Sequence, residues 1–125
     1  MSTLKVGIAS YEEMKALTLA ITRGKHKLGP DGPRIWFPST ESFAKVLSAG
    51  NRKLLRTIAE KAPGSLDELA ALTGRKKSNL SRTLKTMANY GLVRLDRGDR
   101  GRIAAKVVHE RIELELPLLG KENAA

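Results

Sequence analysis

With 125 residues the chain has room for one compact domain and at most an appended arm, and 41% hydrophobic but only 4% aromatic residues point to an aliphatic, helix-rich interior. A formal net charge of +10 favours a polyanionic partner, since a cationic surface gains by releasing counterions from nucleic acid. No stretch approaches the roughly 18 apolar residues of a transmembrane helix, and the absence of Cys excludes disulfides, a thiol nucleophile and thiolate metal sites.

Residues Thr3 to Ala9 alternate through Leu4, Val6 and Ile8, as a short strand or extended arm would. The start MSTLKVGIAS has no basic segment followed by an apolar run, so the expected location is the cytoplasm. Ser10 with Glu13 three residues on forms a capping-box pattern, and Met14, Leu17 and Ile21 recur at helical spacing, predicting a helix to about Arg23. Gly29, Pro30, Gly32 and Pro33 break it and form the best linker candidate. Ile35, Trp36 and Phe37 then make a short apolar segment stopped by Pro38, and a short helix is predicted over Glu41 to Leu47. From about Asn51, the stripe Leu54, Leu55, Ile58, Ala59 and Ala62 describes a core helix that ends at Pro63-Gly64.

Two further helices, Ser65 to Thr73 and Lys77 to Tyr90, are separated by a short turn containing Gly74. Ser65 suits the first cap with Glu68 returning the bond, and Leu66, Leu69, Ala70 and Leu72 supply the buried face. The tail reads as strands LVRLD and RIAAKVV around the polar RGDRG, followed by an alternating ERIELEL and a frayed GKENAA. These elements divide the chain into an N-terminal arm and helix over residues 1–38, a main unit over 39–116 and a tail over 117–125. The expected fold class is α+β, mainly α: a winged helix-turn-helix with a C-terminal β-hairpin wing and a short N-terminal arm and helix.

The charge is concentrated. From Arg75 to Arg102 nine Lys or Arg stand against Asp96 and Asp99, so this stretch carries +7 of the total. In the helix from Lys77, Leu80, Leu84 and Met87 share one face, and at about 100° per residue Ser78, Arg82, Lys85 and Asn89 project opposite, with Asn79 and Thr86 beside them. An α-helix fits the major groove, where donors and acceptors on base edges carry the sequence. That points to double-stranded DNA as partner and to Ser78, Asn79 and Arg82 as base-reading positions, Arg82 toward guanine and Asn79 toward adenine. Arg75, Lys76, Lys77 and Lys85, with Arg97, Arg100 and Arg102 of the wing tip, suit phosphates.

The run LSRTLKTMANYGLVRL resembles the recognition helix and wing of bacterial and archaeal regulators of the MarR and ArsR type, and SLDELAALTGRKKSNLSRTL resembles the helix and turn before it. From about Val6 to Leu116 the chain is similar to a narrower group of small MarR-like DNA-binding proteins, some of which are antitoxins beside a ribonuclease-like toxin. The resemblance implies a homodimeric repressor. It also implies an alternative, an antitoxin that neutralises its toxin by direct contact and autoregulates its operon.

A homodimer interface is expected from the helix Tyr11 to Arg23, from Trp36 and Phe37, and from the last strand; Trp36 and Phe37, Phe37 above all, serve equally as core plugs, and the last strand as a partner within its own monomer. The acidic ERIELEL is alternatively an edge open to strand addition by a toxin or other protein. An enzyme is not expected: no Gly-rich phosphate loop, no His pair at metal spacing and no nucleophile with a partner occur. His26 and His109 read as surface or edge residues, and no cofactor or metal is called for.

Overall fold

The computed structural model describes residues 2–24 and 32–119; His26, Gly29, Pro30 and the GKENAA tail lie outside the described residues. Strand β1 (Thr3–Ile8) leads into helix α1 (Tyr11–Thr22), strand β2 (Ile35–Phe37), and helices α2 (Thr40–Val46), α3 (Ala49–Lys61), α4 (Leu66–Thr73) and α5 (Lys77–Asn89). Strands β3 (Val93–Arg97), β4 (Ile103–Val107) and β5 (Arg111–Glu115) complete a mixed α/β chain.

Two sheets result. β3 and β4 form an antiparallel hairpin in which Val93 faces Val107 and Arg97 faces Ile103. The other sheet is parallel, in the order β2-β1-β5, and pairs Leu4 with Ile112 and Val6 with both Leu114 and Ile35. The N-terminal strand is thus the centre of a sheet whose other members come from either side of the helical region. Residues read separately as 1–38 and 39–116 share one core: Leu4, Val6 and Phe37 pack with Leu54, Ile58, Leu66, Leu69, Leu80, Leu84 and Met87.

Local chemistry explains the element boundaries. At the start of α1 both bonds of the capping box are made: Glu13 N–H donates to Ser10 Oγ and Ser10 N–H to the Glu13 carboxylate. At α4 the Glu68 N–H donates to Ser65 Oγ, but the Glu68 carboxylate accepts from Gly64 N–H at 2.8 Å and not from Ser65. Gly74 ends α4 at φ 73°, a left-handed conformation that costs glycine little, and its N–H donates to the Ala70 carbonyl. Leu72, expected inside, is 45% exposed. At 100° per residue it lies about 120° round from Leu66, beyond the stripe that a short helix can bury.

The aromatic residues divide by strand alternation. Phe37 is fully buried, stacked on Tyr90 with ring centroids 4.0 Å apart and edge-on to Phe43 at 5.1 Å, so it ties β2 to α2 and to the end of α5. Trp36, next in the strand, faces the other side and lies half-buried across Gly7. A Cβ at Gly7 would sit 2.9 Å from Trp36 Nε1, so only glycine fits beneath the indole. The last strand pairs with β1 of its own chain, and among the described residues no strand covers its outer edge. Helix α1 buries none of its residues, leaving Tyr11, Leu19 and Ile21 exposed. Among the described residues no helix is long and apolar enough to cross a membrane.

Candidate nucleic-acid interface

The site is assembled around α5. Leu80, Leu84 and Met87 are essentially inaccessible and anchor this helix on α4 and β3. The same spacing leaves Ser78, Asn79, Arg82, Lys85, Thr86 and Asn89 exposed on the outward side. Thr86 uses its hydroxyl on the Arg82 carbonyl, so its side chain is partly committed to the helix itself. Lys76 is the N-cap and makes no side-chain cap bond, so the first-turn amides of a 13-residue helix have no side-chain acceptor from it.

The cations differ in their engagement. Arg75 is half-buried and donates from Nη1 to Asn51 Oδ1 at 3.0 Å, while Asn51 Nδ2 donates to the Val46 carbonyl. Arg75 therefore braces the turn before α5 against the start of α3. Nothing in its sequence neighbourhood signals this, because its partner is 24 positions away. Lys77 Nζ lies 3.2 Å from the Asp67 carboxylate, an exposed pair that contributes little to stability. Among the described residues, none of the ion pairs takes up Arg82, Lys85, Arg97, Arg100 or Arg102.

The β3–β4 hairpin brings its cations back toward the helices. Arg100 and Arg102 line a notch of about 140 Å³ together with Lys77, Asp67 and Ser65, so the hairpin tip sits beside the starts of α4 and α5. Arg94 is locked by two hydrogen bonds, 2.8 and 3.1 Å, to Asp96. The hydrogen bond from Arg94 holds the Asp96 carboxyl below its ordinary range, and the pair cancels its own charge. The tip, by contrast, presents Arg97, Arg100 and Arg102 to solvent. Its backbone places Arg100 at φ 60°, a left-handed position that ordinary residues avoid. His109 lies away from this surface, half-buried beside the N-terminus with Nδ1 3.0 Å from Ser2 Oγ. Among the described residues no cluster of three His, Asp or Glu side chains could hold a metal ion.

Fold and site define a mixed α/β protein in which, among the described residues, helices α4 and α5 and the β3–β4 hairpin gather exposed cations. The chain belongs to the HVO_A0114 family, whose model matches residues 46–114, from the end of α2 to Leu114 in β5. Among solved structures it is similar to a crystal structure of a predicted DNA-binding transcriptional regulator from E. coli, with 24% identity and a TM-score of 0.44 over 78% of this chain and 86% of that one. No curated protein matches the chain.

Proposed function

We propose that the chain is a cytoplasmic transcriptional regulator that binds double-stranded DNA as a homodimer and acts as a repressor. In this reading α3, α4, α5 and the β3–β4 hairpin form a winged helix-turn-helix. Helix α5 enters the major groove, with Ser78, Asn79 and Arg82 at base edges and Lys85 toward the backbone. Lys76, Lys77 and the hairpin cations Arg97, Arg100 and Arg102 follow phosphates, and Arg75 contributes a positive charge from the turn that it braces. It acts by binding, without cofactor or metal.

The observation that carries the proposal is the outward face of α5: a run of exposed hydrogen-bonding side chains, opposite a fully buried Leu80-Leu84-Met87 stripe, beside a notch shared by Lys77, Arg100 and Arg102. A merely solvated helix face requires no such convergence from a strand hairpin. Nor does direct neutralisation of a toxin at the β5 edge by itself; the antitoxin alternative would use the basic surface in autoregulating its operon.

Selection of bound fragments from genomic DNA tests the reading. A two-fold symmetric motif with half-sites about 34 Å, one helical turn, apart is the expected outcome. Equal recovery of all sequences, or preference for single-stranded RNA, would overturn it.

A further inference from the structure

Strand β5 is the outer strand of the β2-β1-β5 sheet, so among the described residues its far edge presents backbone donors and acceptors with no strand beside them. Its core-side residues are progressively uncovered: Ile112 is half-buried against the core, Leu114 is 39% exposed and Leu116 beyond the strand is 43% exposed. Ile112 and Leu114 face a groove of about 1200 Å³ between α3 and the β4–β5 connection, whose apolar walls include Leu55, Ala59 and Val108. Charged side chains occupy the alternate positions, where Arg111 holds Glu113 at 2.9 Å.

We propose that β5 pairs antiparallel with β5 of a second copy of this chain, about a two-fold axis at Ile112, joining the two three-stranded sheets into one of six strands. Strand periodicity limits the choice. To keep both core faces on one side, the axis must pass through a residue and not between two. Placed at Glu113, it would set that carboxylate against its own copy; placed at Leu114, it would set Glu113 against Glu115, and like charges directly opposite are destabilising. At Arg111 it would oppose two guanidiniums. At Ile112, Arg111 of each copy meets Glu113 of the other, twice by symmetry, and Ile112 meets Ile112 on the core face. The same register carries Leu114 alongside the second copy's Glu110, at the rim of the groove that Glu110 and Val108 line. One contact thus pairs the outer edge and covers the exposed Leu114 of both chains. The proposal deepens the dimeric reading above by naming its interface, and its test is made without DNA, so its outcome is independent of DNA affinity.

Because the full chain contains no Cys, single cysteines report the register directly. Directly opposed Cα atoms in an antiparallel pair are about 4.5–5.5 Å apart, within disulfide reach, whereas an axis at Ile112 puts position 113 of two copies roughly 8 Å apart and position 114 farther still. Under mild oxidation Ile112→Cys should cross-link into a species of twice the 13.7 kDa monomer mass, and Glu113→Cys and Leu114→Cys should not. Light scattering of the exposed charge variants is the second readout, with circular dichroism verifying the fold. Arg111→Glu and Glu113→Arg should each weaken the dimer several-fold, and the double exchange should restore it. A monomer at all micromolar concentrations would overturn the proposal. So would cross-linking at 113 or 114 in place of 112, a double exchange that fails to restore association, or a stable dimer with no cross-link in β5. The last result would move the contact to another surface, α1 first.

Discussion

Two residues of α5, two positions apart, should separate folding from the proposed DNA binding. Leu84 is 1% exposed and packs in the same cluster as Leu80, Met87 and Phe37, so Leu84→Ala removes buried methyl groups and leaves a cavity that the surrounding core closes only partly. A mid-range cost for such a truncation is about 3 kcal/mol. For a domain of this size that lowers the melting temperature by roughly 10–15 °C. Arg82 is exposed, no ion pair among the described residues involves it, and alanine is at least as good a helix former, so Arg82→Ala should shift stability by no more than about 0.5 kcal/mol. On the selected DNA site it should cost about 1–3 kcal/mol, roughly 5- to 150-fold in Kd, and relax the preference at one base position. Thermal melts by circular dichroism and fluorescence-anisotropy titrations on operator and scrambled DNA measure the two quantities on the same preparations. Should Arg82→Ala unfold the protein, or weaken operator and scrambled DNA equally, the assignment of α5 as a base-reading helix would be wrong.

Other substitutions test the scaffold. Gly7→Val should destabilise the sheet by pushing Trp36 off the strand, seen as a red shift of the fluorescence of the chain's single tryptophan and a lower melting temperature. Phe37→Ala should cost about 3–5 kcal/mol, since it loses a buried ring and both aromatic contacts, and chemical denaturation measures the loss. Ala62, the αL cap of α3 at φ 44°, sits where glycine is preferred; Ala62→Gly should raise stability by up to about 1 kcal/mol and the melting temperature by a few degrees.

Much of the helical half was legible because its signals are local. A capping serine three residues before a glutamate, a glycine at the end of α4 and the i, i+4, i+7 stripe of Leu80, Leu84 and Met87 act within one or two turns, so reading the chain in order recovers them. The parallel pairing of Leu4 with Ile112 is of another kind. It joins residues 108 positions apart, and alternation in β1 and β5 says that each has a core face without saying which strand it meets. Trp36 over Gly7 belongs between the two: a glycine inside a strand is a standing hint of close approach, but its partner is named only by the register. In the site, the exposed face of α5 follows from helical geometry, while the division of cations into braced and unengaged does not. Arg75 and Arg82 are indistinguishable by composition; only the fold places Asn51 beside the first.

The tip of the hairpin gives the sharpest test of how the basic surface works, because stability and binding make opposite demands there. Gly98 and Gly101 flank Arg100, and the turn is closed by the Gly98 N–H on the Arg102 carbonyl and the Arg102 N–H on the Asp99 carbonyl. Within it Arg100 takes φ 60° and ψ 30°, a conformation that costs an L-residue about 1–2 kcal/mol and glycine almost nothing. Arg100→Gly relieves that strain, offset in part by the greater freedom of glycine in the unfolded chain, so stability should hold or rise by less than about 1 kcal/mol. If the guanidinium is kept there to meet phosphate, the same substitution should weaken operator and random DNA alike and reduce the slope of log K against log[salt] by about 0.9. Arg100→Lys, which retains the charge and the strain, should keep most of the slope. Loss of operator affinity alone would instead place the arginine in a narrow A·T-rich minor groove, where it reads shape. A marked loss of stability with an unchanged salt slope would make it a structural residue of the turn and remove the hairpin from the binding surface.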